Sequence, residues 1–415
     1  MRRILVINMK LYDIPEEGMP VVNPEAAADW KPEDKVIVIG AGIAGISAAY
    51  TLKYLNVPFI LLEASDHFGG RVQRNEEFIG DGVHLDVGAE WIHTTRDASC
   101  LKELLLGEED RKSVEQFMEE EVIVYQPSSF YYFDSCYDSF VKRNFMKMMV
   151  DHEYKFKTKS WSYYLETFLF SHVKDKIEYQ AVVKEIDYTS PEKIKVTLAN
   201  GKVHEGARVI CATPLSVIKR RHLKFKPDLC KEKKDVLEKT RIRPGFKVAI
   251  KFKKKFYNDV FFEQGLLSYL FTVTAGVGSE KTYFDALLGK GIEDKHVLGL
   301  YCYGSTALDL SKFEEEDLLA SVIEKLDMMY DGQATENYIE HTIKNWTNEP
   351  HIHGAFSHAL YTSELTDAFV EKPLDDRVFF AGEHVSGKFM PTVHGAGFSG
   401  RRAAMNAIGK EYHYY

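Results

Sequence analysis

The first orderly run of hydrophobic positions begins just after Lys35. Val36, Ile37, Val38 and Ile39 are unbroken and β-branched, the pattern of a short strand covered on both faces of a parallel sheet. A glycine-rich turn follows, and the alanine-rich residues 43–55 predict a helix. Pro58 introduces a second apolar run, Phe59–Leu62, that ends at Glu63. Strand, turn, helix and strand make a β-turn-α-β unit about 30 residues long. Residues 181–188, 193–198 and 203–210 alternate like strands, with Asn200-Gly201 as a tight hairpin turn between the latter two. Residues 246–252 alternate again. Residues 314–330 predict an amphipathic helix with an acidic start, residues 378–381 a last buried strand, and residues 395–408 a last helix. Residues 116–179, rich in Phe, Tyr and Met with interleaved lysines, read as mostly helical and carry no phosphate or metal motif. Ahead of residue 32, Pro15, Gly18, Pro20 and Pro24 predict irregular structure.

A chain of 415 residues exceeds what one core usually holds, so two domains are expected. Hydrophobic residues at 45% and aromatics at 13% can fill two cores and line an apolar pocket. The net charge of −9 argues against a nucleic-acid partner, which needs a basic surface, and suits a cationic substrate only weakly. Cys100, Cys136, Cys211, Cys230 and Cys302 are scattered and odd in number, as in a reduced protein with neither a disulfide frame nor a zinc site; no metal is expected. Residues 1–10 are too short for a signal segment. No apolar run approaches the roughly 20 residues that span a bilayer, and residues 411–415 are not a peroxisomal tripeptide. The expectation is a cytoplasmic protein with no membrane partner.

Chemistry enters at Gly40-Ala41-Gly42-Ile43-Ala44-Gly45, placed between strand and helix where a dinucleotide fingerprint must sit. Gly40 permits the tight turn, Gly42 lets backbone approach a pyrophosphate, and Gly45 permits close helix–sheet packing. The helix N-terminus offers aligned N–H groups to phosphate, and Glu63 would accept from a ribose. NAD and FAD share this unit. Just beyond the acid, Gly69-Gly70-Arg71 supplies glycines for close approach and a guanidinium able to pair with a phosphate.

That loop resembles the one with which flavin-containing amine oxidases clasp FAD. Asp86-Val87-Gly88-Ala89-Glu90-Trp91-Ile92-His93 is similar to the family segment beneath the flavin ring. Phe379-Phe380-Ala381-Gly382-Glu383 with Thr392-Val393-His394-Gly395-Ala396 resembles its closing FAD motif. The resemblance implies that Gly88, Ala89, Glu90, Trp91, Gly382, Glu383, Thr392 and Val393 hold the cofactor, with Glu383 accepting from the ribityl chain. Val183 matches a position whose backbone contacts adenine, and Cys211-Ala212-Thr213-Pro214-Leu215 resembles the family's return near the cofactor. The implied fold is α/β: a discontinuous Rossmann-like FAD-binding domain (34–95, 175–245 and 375–415) and an interleaved α+β substrate-binding domain (96–174 and 246–374). Residues 1–33 form a leader.

The same resemblance names candidate catalytic residues. Lys247 matches the lysine that holds a water against the flavin's reactive nitrogen, although Lys251 and Lys253 share its strand parity. His93 falls where polyamine oxidases carry a histidine at the substrate channel, and its pKa near neutrality suits orienting or deprotonating an ammonium. Trp346-Thr347-Asn348-Glu349-Pro350 and Gly354-Ala355-Phe356-Ser357 put Phe356 at one wall of an aromatic cage. Monoamine oxidases carry a tyrosine of the substrate cage where this chain has Thr392, so the resemblance puts Thr392 at the substrate as well as the cofactor. They also tether FAD through a cysteine that residues 382–386 lack. Thr392 with Val393-His394-Gly395-Ala396 is similar to polyamine oxidases and to the histone-demethylase branch. Non-covalent FAD and the polyamine-oxidase branch are expected, with a small amine and molecular oxygen as partners. The histone-demethylase branch adds helical segments for which this chain has no room. Two alternatives stay open: an amino-acid oxidase or carbon–carbon desaturase, with no carboxylate-binding arginine identified among Arg96, Arg143 and Arg241, and a catalytically weak FAD-binding scaffold.

Overall fold

The computed structural model describes residues 14–15, 17–94, 98–126, 130–132, 153–262, 280–357, 362–371 and 373–414. Arg96, Cys136 and Arg143 lie outside them. The apolar runs at Val36–Ile39 and Phe59–Leu62 form adjacent strands of a parallel five-stranded sheet, ordered Val378–Phe380, Arg208–Cys211, Val36–Ile39, Phe59–Leu62 and Ile177–Glu178. Val36, Ile37, Val38 and Ile39 are all buried, as a run apolar on both faces requires. The helix Ile43–Tyr54 has no polar face, so it must be covered all round. It is packed between this sheet and the helix Val393–Ala407. Gly400 makes that approach possible: a Cβ there would stand 2.0 Å from Ala44 O.

The leader is less irregular than its prolines suggest. Pro24–Ala27 forms a short 3-10 turn capped by Asn23, Met19 and Val22 are buried in the core, and Tyr412 Oη donates to Pro20 O at 2.7 Å.

Residues 203–210, read as one alternating strand, are two. Val203–Gly206 pairs with Ile194–Leu198 in a four-stranded sheet, whereas Arg208–Cys211 enters the parallel sheet. Alternation cannot distinguish a strand that changes sheets from one that continues. The described part of residues 116–179 mixes helix, as at Trp161–Phe168, with strands that the mostly helical reading did not foresee. After the helix Glu108–Glu121, Val122–Tyr125 and Glu153–Phe156 pair as strands, and Ile92–His93 completes their sheet.

The second core is built on a six-stranded sheet centred on Gly245–Phe252 and His296–Tyr303. Along Gly245–Phe252 the two faces separate with the period of two that a strand imposes. Phe246, Val248, Ile250 and Phe252 pack with Leu318, Val322 and Leu326 of the helix Glu315–Met329. The opposite parity carries Lys247, and its neighbour Ala249 packs with Phe284 in a cluster against which Trp91 and Tyr301 also rest. Lys251 is half-buried and pairs with Glu340 on the outer strand Tyr338–Asn345, and Lys253 is exposed. Of the lysines sharing this parity, only Lys247 is buried. Among the described residues, no helix is long and apolar enough to cross a membrane, and no group of three or more His, Cys, Asp or Glu is placed to hold a metal.

Candidate active site

One cavity of about 570 Å³ gathers nearly every residue singled out in the sequence. Gly40, Gly42, Glu63, Gly70, Arg71 and Val183 line it, as do Gly88, Ala89, Glu90, Trp91 and His93. Lys247, Phe356, Gly382, Glu383, Thr392 and Val393 complete the set. Gly45 stands outside, and the three fingerprint glycines are glycine for different reasons. Gly40 has φ +98°, and a Cβ there would lie 2.9 Å from Ala212 O. At Gly45 a Cβ would lie 1.8 Å from Gly40 O, which is the helix–strand approach expected of the third glycine. At Gly42 the backbone is ordinary (φ −72°) and a Cβ would meet only Gly69 O, at 4.0 Å. Nothing in the protein demands a glycine at Gly42; the space beside it opens on the cavity.

Glu63 ties the turn to the second strand, its two oxygens accepting from Ala41 N at 2.6 Å and Ser65 N at 2.8 Å. A carboxylate has about four acceptor sites, so two remain for a ribose. Arg71, expected at a phosphate, donates instead to Ala355 O at 2.9 Å and Glu383 Oε1 at 3.0 Å. Glu383 also accepts from Ser357 N, at 3.2 Å, and from the Ser357 hydroxyl at 2.5 Å. Burial works to raise the Glu383 carboxyl, but Arg71 and the hydrogen bonds hold it below the usual carboxylate range.

Beside it, His384 was not anticipated. Burial, with the Arg71 charge assisting, pushes its imidazole from 6.5 down to about 4. Its Nδ1 is buried on the cavity wall without a hydrogen-bond partner among the described residues. Between these two pH values the unfolded chain binds a proton that the folded chain refuses, so stability falls as pH drops from 6.5 toward 4. His384→Gln should flatten this acid limb by about 3 kcal/mol, measured by urea unfolding of both proteins at pH 7 and pH 4.

Lys247 does not sit alone among apolar neighbours. Its Nζ donates to Glu90 Oε2 at 2.7 Å and to Asp86 O at 3.2 Å, and lies 5.2 Å from the centroid of the Trp91 ring. The other Glu90 oxygen pairs with Lys155, a residue that sequence reasoning missed because its segment was taken as helical. Burial alone would raise the Glu90 carboxyl, but the two ammoniums outweigh it and bring it down to about 2. Burial and the Glu90 charge push Asp86 the other way, well above the usual carboxylate range.

Phe356 is one of a group of rings. Tyr301 lies 6.4 Å from it, near parallel, and 6.3 Å from Trp91, and itself lines the cavity. Strand register could have revealed Tyr301, since it is paired directly with Lys247. The Thr392 hydroxyl, assigned to substrate, caps the last helix: it accepts from Gly395 N at 3.0 Å and donates to Phe389 O at 2.6 Å. The wall is thus polar and backbone-rich around Gly42 and Glu63 and aromatic around Lys247. With open space at Gly42 and a His384 nitrogen that has no hydrogen-bond partner among the described residues, this lining fits a dinucleotide.

Similarity to known proteins bears on the same residues. Residues 38–106 match the NAD(P)-binding Rossmann-like domain, and residues 163–408 match the flavin containing amine oxidoreductase family. The mouse lysine-specific histone demethylase 1B is 23% identical over 444 residues, covering 89% of this chain and 52% of that protein. The rice lysine-specific histone demethylase 1 homolog 2 is 26% identical over 55% of this chain and 30% of its own length. The chain thus spans about half the length or less of these curated relatives. Among solved structures, cyclohexylamine oxidase from Brevibacterium oxydans superposes with a TM-score of 0.67 at 15% identity, over 91% of this chain and 99% of that one. A putrescine oxidase redesigned in its cofactor binding gives 0.66 at 14%, with the same coverage. At such identity the likeness speaks for the fold, an amine-oxidase α/β architecture with a Rossmann-like unit. The family match covers more than half of the chain, and membership implies a flavin cofactor: the chain belongs to the flavin containing amine oxidoreductases.

Proposed function

We propose that this chain is an FAD-dependent oxidase of a polyamine-like amine, with molecular oxygen as final acceptor, yielding hydrogen peroxide and an imine that water hydrolyses to aldehyde and amine. The observation that carries the reading is a single cavity walled both by the fingerprint turn and by Lys247, His93, Tyr301 and Phe356. The flavin supplies the two-electron acceptor. Gly40 and Gly42, with the helix N-terminus behind them, hold the pyrophosphate, Glu63 the ribose and the Val183 backbone the adenine. Gly70 would close over the phosphates, while Arg71 ties that loop to Ala355 O and Glu383. Gly88, Ala89, Glu90, Trp91, Gly382, Thr392 and Val393 would hold the rest of the flavin, with Glu383 accepting from its ribityl chain. No cysteine lines the cavity among the described residues, in keeping with non-covalent FAD. Residues 34–95, 175–245 and 375–415 then serve as the cofactor domain, and 96–174 with 246–374 as the substrate domain.

The amine must lose its ammonium proton before a hydride can leave the adjoining carbon. His93 is placed on the wall to orient the nitrogen or take that proton. Tyr301 and Phe356 exclude water and flank the neutral amine, and Lys247 holds a water at the reacting end. An amino-acid oxidase would use an arginine for the substrate carboxylate. Arg71 is the arginine on the wall among the described residues, and Glu383 already engages it. The relatives' names favour a second reading, a methylated lysine side chain on a protein.

Peroxide production from spermidine, benzylamine and a methyl-lysine peptide separates these readings. The expected order puts spermidine first, with kcat/KM at least tenfold above benzylamine, about 1.4 kcal/mol in the transition state. Preference for benzylamine would reverse the substrate class, and preference for the peptide would establish the second reading. Acid precipitation should leave the flavin in the supernatant; yellow colour retained in the pellet would contradict non-covalent binding.

A further inference from the structure

Behind the cavity wall formed by Trp91 lies an ammonium, that of Lys155, to which the proposed reaction gives no part. Glu90 is 5% exposed, and it bridges two lysines from distant segments, accepting from Lys247 Nζ at 2.7 Å through one oxygen and pairing with Lys155 through the other. Lys155 is 1% exposed. Its ammonium lies 4.9 Å from the Tyr125 ring centroid, 5.2 Å from Phe284 and 5.7 Å from Trp91. Three aromatic faces and one carboxylate therefore surround it, an arrangement that keeps water away and favours a cation. Lys155 does not line the cavity, whereas Glu90, Trp91 and Lys247 do.

We propose that Lys155 and Glu90 are positioning residues: Lys155–Glu90–Lys247 is one buried charged chain that fixes the Lys247 ammonium on the cavity wall and sets the net charge beside the bound flavin. The inference rests on the FAD reading above and adds to it a control on flavin electronics by residues behind the wall. The chain carries two ammoniums and one carboxylate. Asp86 is the other acid at the site, its backbone oxygen accepting from Lys247. Burial and the nearby Glu90 charge favour its neutral form, so it does little to cancel the excess cation. Lys290, whose ammonium donates to Phe156 O at 2.6 Å and Lys157 O at 3.0 Å, adds to the positive side. Stability alone gives little reason to keep this arrangement, because a buried ion cluster is often no better than a well-packed apolar one. A charge fixed beside a redox group has a consequence that an apolar core lacks. It favours the more negative, reduced form of that group.

The test is the reduction potential of the flavin bound to the full-length protein, with FAD content measured first. Lys155→Met removes a positive charge and should lower the potential. Glu90→Gln removes the negative charge and should raise it. Each shift should correspond to at least tenfold in the oxidation–reduction equilibrium, about 30 mV for two electrons. Lys155→Arg, which keeps the charge, should stay near wild type. A damaged pocket would move both neutralising variants in the same direction, so opposite signs are the signature of the charge chain. If Glu90→Gln does not fold, the double variant Glu90→Gln/Lys155→Met keeps the test: it should return the potential toward wild type from the Lys155→Met value. Shifts of one sign, or unmoved potentials with FAD bound, overturn this inference alone. Wild-type protein that binds no FAD overturns the proposed function and this inference together.

Discussion

Gly42→Val should yield a folded protein that has lost its FAD. The backbone at Gly42 is one that any residue adopts, and a Cβ would have only Gly69 O nearby, at 4.0 Å. Valine is a poor residue at a helix N-cap, which costs about 1 kcal/mol or less relative to glycine. The fold should absorb that. The cavity cannot, because the branched side chain occupies the space through which a pyrophosphate approaches the turn. FAD affinity should fall at least tenfold, about 1.4 kcal/mol, read by flavin absorbance after desalting alongside circular dichroism. Gly45→Val is the contrasting control: with Gly40 O only 1.8 Å from its Cβ, that variant should lose the fold itself. Full flavin occupancy in Gly42→Val would remove the fingerprint from the account.

Lys247→Met should keep the fold and the flavin but lose turnover. Methionine is close to lysine in volume, and Glu90 keeps Lys155 as its partner, so no buried carboxylate is left alone. What disappears is the ammonium on the cavity wall and whatever water it holds. Turnover should drop at least tenfold, about 1.4 kcal/mol, with KM little changed, as for an interaction made mainly in the transition state. Following flavin reduction and reoxidation separately assigns the loss to one half of the cycle. Wild-type rates in both halves would reduce Lys247 to a structural ion pair with Glu90.

These two residues also show what a sequence can disclose. The turn around Gly42 is legible because its parts are adjacent: an apolar run, spaced glycines, a helix and an acid follow one another within a single unit. Lys247 is only half legible. Alternation places it on a strand, but Lys251 and Lys253 share its parity, and only the packing of Gly245–Phe252 against Phe284 and Trp91 separates them. The Glu90 bridge to Lys155 is a pairing between distant segments, one of them misread as helix, and no local pattern carries it. Tyr301 was hidden for a related reason, since aromatic residues are common in this chain and only strand register brings one opposite Lys247. Thr392 shows the converse. A position chosen for its place in a motif turns out to spend its hydroxyl capping a helix.

The central claim is that one cavity holds both FAD and an amine that reduces it. Mixing the purified protein with spermidine without oxygen, in a stopped-flow spectrophotometer, tests it most directly. The flavin absorbance should bleach in a single turnover and return when oxygen is admitted, with peroxide formed. A flavin that stays oxidised with spermidine, benzylamine and a methyl-lysine peptide alike would contradict it, and would leave an FAD-binding scaffold in its place.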